Sequence, residues 1–355
     1  KLFKKVGLQM NHAYSILDVR IEGSHKLIKL RNPWGSFEWK GAWSDNSKEW
    51  RENPGLEKKL GVVKDVDDGI FWLSFHDLLI YFRSIDVCKL RPNWFTLRME
   101  GSWAQKKIPF CSERMYQIVV DRSTWVTVSL LQENKRGGSG KDYRDIGVFI
   151  VKVNGEDMKE LSRHIYVAHV LPKREREVHL EFNATDPKAT YLVIPMSFDV
   201  REAQPSFGLS IYGANPVHAR SRNVDVRCVR SACLLAIAAH GKSTYVKENI
   251  KMLSQNPNGC GCWYMLQNLA PNKTLRLRIT LKPSGLTSSR KQFDIETTLP
   301  PLHRQILVVL TPANSEGGYS WSSTFTYSTS SNSVVGSHMP SLDVEYKELH
   351  YPVPI

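Results

Sequence analysis

The sequence predicts an α+β chain that is mainly β: an N-terminal segment mixing strands with short helices, then two antiparallel β-sandwiches. Three observations carry that expectation. Helical spacing of apolar residues, at positions such as Leu78 and Phe82, is found only ahead of Leu90. From Thr96 onward, short runs of β-branched and aromatic residues recur, with turn signals roughly every ten residues. The length of 355 residues, with 41% hydrophobic and 23% charged residues, suits a globular chain of two or three domains. Changes in texture place these at 1–92, 93–215 and 216–355.

The elements follow in order. AYSILDVRI and KLIKLRN read as two strands joined by EGSH. A Trp-rich, Gly-broken loop, WGSFEWKGAWSD (34–45), comes next, and DNSKEWRENPGLEKKLG reads as a short helix and turn. DGIFWLSFHDLLIYFRSIDVCKL gives a strand and then a helix, with Ser74 as N-cap and Leu78, Leu79 and Phe82 on one face. The first sandwich is read from YQIVVDR, WVTVSLLQ, IGVFIVKVNG, HIYVAHVLP, EVHLEFNA, TYLVIPMSF and FGLSIYG. ANPVHARSRN marks a boundary. The last region repeats the all-β texture in VDVRCV, CWYMLQNL, KTLRLRITL, FDIETTL, RQILVVLTP and YSWSSTFTYST, and the Ser-rich YSTSSNSVVGSHMPS (327–341) reads as a loop.

Bulk properties exclude several functions. The net charge of +13 steers acidic partners to the surface. The basic residues are scattered through KLFKK, PKRERE and HARSRNVDVRCVR, without a tract interleaved with aromatics, so nucleic acid is not an expected partner. No apolar run reaches the roughly 18 residues of a membrane helix. The opening KLFKKVGLQM is too basic and too broken for a signal peptide, and the chain reads as part of something longer. Six cysteines without paired spacing argue against a disulfide framework and for a reducing, cytoplasmic setting.

The stretch NHAYSILDVRIEGSHKLIKLRNPWG (11–35) carries the chemistry. His12 opens one strand, Asn32 closes the next, and Trp34 follows two residues on. In a Cys-His-Asn protease the His moves a proton between thiol and leaving amine, and the Asn fixes the tautomer and orientation of the imidazole. A nearby Trp keeps water from the His–Asn hydrogen bond. A His and an Asn twenty residues apart say little alone, but HAYSI, LIKLRNPWG, FEWKGAWSD, DGIFWLSFHDLL and VCKL together closely resemble the second half of the calpain protease core, over residues 11 to 90.

That resemblance implies a partial papain-like protease subdomain at 1–92, with His12 as base and acid, Asn32 as orienter and Trp34 as shield. It also implies a C2-like sandwich at 93–215. The last 140 residues, ending ELHYPVPI, resemble the C-terminal homology region of the small-optic-lobes calpains. The family's cysteine precedes its histidine, and no Cys precedes His12 here. The nucleophile is therefore expected upstream of this chain, which alone is expected to be inactive, and the activity implied is limited proteolysis of protein substrates. Cys262 before Trp263, in NGCGCWYML, mimics a papain-type signature. It follows the His and Asn, sits in strand-rich sequence and reads as a structural thiol.

The resemblance further implies a calcium site at Glu38, Asp45 and Asp68, with the Val66 carbonyl as a fourth donor; a hard cation wants six to eight oxygens. The family pattern has an acid where this chain has Ile70, so the site is expected to be weakened or absent, with Asp67 a badly directed substitute. The loop LQENKRGGSGKDYRD (131–145) is mixed and Gly-rich, which suits acidic phospholipid or an acidic protein partner, or else a solvated linker. The alternative function is a non-catalytic sandwich module that binds such partners beside a vestigial protease half.

Overall fold

The structure is a computed structural model that describes residues 2–64, 66–103, 111–134, 143–154, 164–198, 206–256, 260–313, 318–331 and 344–355. The chain divides into two compact units, Lys1–Leu90 and Arg91–Ile355. It is mostly β, in antiparallel sheets, as the sequence predicts.

In the first unit the short helix α1 (Leu2–Lys5) leads to a sheet ordered β1–β2–β3, from β1 (Ser15–Glu22), β2 (His25–Arg31) and β3 (Ile70–Ser74). Helices α2 (Lys48–Glu52) and α3 (Pro54–Leu60) lie between β2 and β3 in the chain, and α4 (Phe75–Tyr81) follows β3 directly. Successive side chains of a strand point to opposite faces, and β2 uses both. Ile28 and Leu30 join Leu8, Trp39, Phe71, Leu73 and Leu78 in one core; Leu27 joins Trp43, Trp50 and Trp72 in another. The Trp-rich loop thus supplies cover for the sheet. Trp39 Nε1 donates to Ala42 O at 2.8 Å and Trp50 Nε1 to Ser44 O at 3.0 Å, so these buried indoles keep their polar edge satisfied.

The predicted helix cap is present: Ser74 Oγ accepts from Asp77 N at 3.0 Å. The predicted helix face is not. Leu78 is buried, whereas Leu79 is 65% exposed. The three positions span about 100° of the helix surface, a stripe one face can hold, but the core covers only the side that carries Leu78 and leaves Leu79 outside it. Phe82 packs on the same core as Leu78, but from just beyond the helix end.

The second unit begins with β4 (Phe95–Ser102), β5 (Arg114–Val120), β6 (Thr124–Gln132), β7 (Ile146–Asn154), β8 (His164–Lys173), β9 (Glu177–Ala184), β10 (Ala189–Met196), β11 (Ser206–Gly213) and β12 (Val217–Asn223). They form two sheets, β12–β5–β10–β7–β8 and β4–β11–β6–β9, closed on a core that includes Tyr116, Val128, Val148, Val193 and Ile211. β12 lies in the stretch read as a boundary, and it pairs with β5 from Val217↔Val120 to Asn223↔Arg114.

After α5 (Val226–His240) come β13 (Lys242–Lys247), β14 (Ile250–Gln255), β15 (Cys262–Asn268), β16 (Thr274–Ser284), β17 (Leu286–Ser288), β18 (Asp294–Leu299), β19 (His303–Pro312), β20 (Ser320–Ser330) and β21 (Val353–Pro354). One sheet runs β13–β14–β15–β19–β17 with β21 also on β19, and the other runs β18–β16–β20. Leu266, Leu277, Ile279, Ile295 and Leu310 fill the space between them.

Helix α5 corrects the expected strand VDVRCV. Asp225 caps it, accepting from Arg227 N at 2.9 Å. Cys228, Val229, Ala232, Cys233, Ala236 and Ile237 then recur at helical spacing and are all buried. Alternation over six residues matched a strand only because it stopped short of the Ala- and Leu-rich continuation. A single core joins Phe149 and Val151 of β7, Leu192 and Ile194 of β10, Val229, Leu234 and Ile237 of α5, and Trp263 and Met265 of β15. The helix is therefore packed between the two pairs of sheets. All six cysteines are free, and among the described residues no helix is long and apolar enough to cross a membrane. Residues 135–142 of the Gly-rich loop and 332–341 of the Ser-rich run lie outside the described residues.

Candidate active site

Asn32 sits where β2 stops. Its N–H donates to Gly69 O at 2.8 Å, and Pro33, which has no N–H, ends the ladder. Gly35 N returns to Asn32 O at 3.0 Å, with Gly35 in the left-handed region (φ 70°). The Asn32 side chain is fully buried. Its Nδ2 donates to Ser36 O at 2.6 Å and Phe37 O at 3.3 Å, and its Oδ1 accepts from Trp34 N at 3.1 Å. Carbonyl oxygens only accept, so these contacts fix which end of the amide is oxygen.

His12 Nε2 lies 2.8 Å from that oxygen. Because Oδ1 cannot donate, Nε2 must carry the hydrogen, which leaves Nδ1 as the basic nitrogen of the neutral ring. The backbone around Asn32 thus decides the tautomer of His12. The Trp34 ring lies against the imidazole, with centroids 4.3 Å apart and planes inclined at 48°, and is itself 61% exposed. His12 precedes the first residue of β1, Ser15, and does not itself begin the strand. The preceding Asn11 has φ 53°, a conformation Asn adopts more readily than most residues.

Gly69 completes this arrangement, and sequence reading did not single it out. Its O holds Asn32 N, its N–H donates to Glu38 Oε1 at 2.7 Å, and its φ is 81°. A Cβ there would come within 2.9 Å of Asn32 O and 3.0 Å of Gly35 Cα. The only signal in the sequence was its place in DGIF, which marks a turn without saying what it touches.

The acids read as calcium ligands are neighbours in part. Burial, the charge of Glu38 and a hydrogen bond to it, and the charge of Asp68 push the Asp45 carboxyl up to about 7, against the opposing pull of Lys29. Glu38, Asp45, Val66 and Asp67 line one cleft; Asp45, Val66, Asp68 and Ile70 line another beside Lys29. Asp68 Oδ1 accepts from Ile70 N at 2.8 Å, and Glu38 is held by Gly69 N. Among the described residues no three or more His, Cys, Asp or Glu side chains meet as a ligand set. The donors are all oxygen, which suits a hard cation, and they repel one another in its absence.

Cys262 is buried in β15, and burial pushes its thiol up to about 12, so it holds no thiolate near neutral pH. Burial likewise raises Cys228 and Cys233 to about 12 and Cys111 further.

Comparison with known proteins follows the same division. Residues 2–89 match the family described as calpain family cysteine protease, and residues 236–333 match the Calpain-D-like, C-terminal domain. The chain is 46% identical over 98 residues to the calpain-type cysteine protease DEK1 of Zea mays, covering 27% of this chain and 4% of that protein. It is 30% identical over 243 residues to the calpain-1 catalytic subunit of Homo sapiens, covering 56% of this chain and 33% of that one. The chain thus spans about a third or less of the length of these curated relatives.

Proposed function

The chain belongs to the calpain family of cysteine proteases, and we propose that it carries the His/Asn half of a Cys-His-Asn endopeptidase site that cleaves protein substrates. The observation that carries this reading is the 2.8 Å contact between His12 Nε2 and an Asn32 amide locked by its own backbone. With Nε2 committed to Asn32, Nδ1 takes the thiol proton as the sulfur attacks the scissile carbonyl. The imidazolium then returns that proton to the departing amine. Asn32 Oδ1 accepts from Nε2–H in both states, so the ring need not turn between steps. In the order the resemblance implies, the thiolate this pair serves belongs to a cysteine that precedes the histidine. The six free thiols agree with a reducing, cytoplasmic setting. The Calpain-D-like match at 236–333 supports the small-optic-lobes affinity.

Calcium belongs to the same reading. Glu38, Asp45, Asp68 and the Val66 carbonyl would hold it, and it would add positive charge to that of Lys29 among these acids. Ile70 offers no side-chain oxygen, so binding is weak.

The reading is tested by peptidase activity of the full-length protease, with and without calcium, beside His12→Ala and Cys262→Ala. His12→Ala should abolish cleavage and Cys262→Ala should leave it intact. Retained activity in His12→Ala, or loss in Cys262→Ala, contradicts it.

A second reading, that the sandwiches dock acidic phospholipid or an acidic protein segment, is supported by one detail. Arg220 Nε and Arg222 Nε both donate to Gln117 Oε1, at 2.5 and 2.7 Å, and no carboxylate pairs with either guanidinium among the described residues. Two cations held side by side on a neutral oxygen leave their outer N–H groups for an anion.

A further inference from the structure

The His12 imidazole is held from two sides. Trp34 covers one side from the surface, and Tyr14 meets the ring edge-on, with centroids 5.1 Å apart at 87°. Unlike Trp34, Tyr14 is anchored in the core of the first unit. Its ring packs edge-on against Phe71 of β3 at 6.0 Å and against Phe82 at 5.5 Å. Its phenol oxygen accepts from Gln9 N at 3.0 Å, which closes residues 9–14 into a loop with His12 inside it and Asn11 at the bend. Burial raises the phenol above its ordinary value, so it stays neutral at physiological pH and keeps its own O–H hydrogen. Besides the bond of His12 itself to Asn32, the loop that bears it is therefore tied to Phe71 of β3 through the Tyr14 ring.

We propose that Tyr14 is a positioning residue for His12: its ring fixes the imidazole plane and its oxygen fixes the loop, so that Nε2 reaches Asn32. The proposal rests on the protease reading for its consequence in catalysis, and on contacts alone for the placement of the ring. An imidazole displaced by about 1 Å from its productive position loses on the order of a hundredfold in rate.

Two variants of the 355-residue chain test the placement by NMR of the His12 ring. Tyr14→Phe keeps the aromatic contacts and loses the acceptor for Gln9 N; Tyr14→Leu loses both. The Nε2–H proton, protected by Asn32, should exchange about tenfold faster in Tyr14→Phe, the scale of one lost hydrogen bond. It should vanish in Tyr14→Leu while backbone amides of β2 and β3 keep their shifts. Unchanged exchange in Tyr14→Phe overturns the proposal, and that variant decides the matter if Tyr14→Leu does not fold. In the full-length protease, Tyr14→Phe should lower kcat about 5- to 10-fold at unchanged KM. Cleavage that survives His12→Ala would remove the protease reading and leave the NMR result standing.

Discussion

At the scale of single residues, the site depends on one buried amide that cannot turn. Asn32→Ala removes the acceptor for His12 Nε2 and the donor to the Ser36 and Phe37 carbonyls; loss of one such hydrogen bond costs about 0.5–1.5 kcal/mol. Gly69 guards the same geometry from the other side. Gly69→Ala puts an L side chain at φ 81° and a Cβ against Asn32 O. The left-handed conformation alone costs about 1–2 kcal/mol, and the clash should displace Asn32, so both thermal stability and peptidase activity of the full-length protease should fall. A variant with wild-type values in both would show that the turn has room to spare. Asp45 gives a pH signature. Its folded-state pKa of about 7 lies above the ordinary 3.8, so the folded chain holds that proton to higher pH than the unfolded chain does. The associated stability is complete below about pH 4 and is lost as pH rises towards 7. Thermal melts across that window should flatten in Asp45→Asn, and calcium should recover stability at pH 7 in the wild type alone. His12, Asn32 and Trp34 were singled out through the resemblance of the stretches around them, because a His and an Asn twenty residues apart say little alone. Tyr14 and Gly69 were not, because their roles arise from a loop closing on Gln9 and from a positive φ, neither of which leaves a periodic trace in sequence.

At the scale of elements, most strands could be read and their partners could not. Period-2 patterning identifies β16, where Leu275, Leu277 and Ile279 face the core between Arg276 and Arg278. It fails for β7, β10 and β15, whose apolar residues fill both faces. Such runs announce burial on two sides without saying what covers the second. The cover is α5, the one long helix of the second unit among the described residues, and its first residues mimic a strand. Trp263 faces that helix from β15, and truncating a buried Trp costs about 3–5 kcal/mol. Loss of the cap in Asp225→Ala should cost about 0.5–2 kcal/mol. If α5 only decorated the sandwiches, urea melts of both variants would match the wild type.

At the scale of the whole molecule, the two units divide the work. Residues before Leu90 hold the amide lock and the acids, while the later residues present scattered cations on stacked sheets. If the Arg220–Arg222 pair takes an anionic partner, binding of the chain to acidic vesicles or acidic peptides should weaken steeply with salt, and more so than in Arg220→Gln/Arg222→Gln. The central claim, however, is chemical and local: the fold places the proton on one nitrogen of one histidine. The most direct measurement is the tautomer of His12, read from its ring nitrogen resonances in the uniformly 15N-labelled chain at a pH where the imidazole is neutral. The structure predicts a hydrogen on Nε2 and a bare Nδ1, with the preference lost in Asn32→Ala. A hydrogen on Nδ1 in the wild type would leave no base for a thiol and would contradict the account.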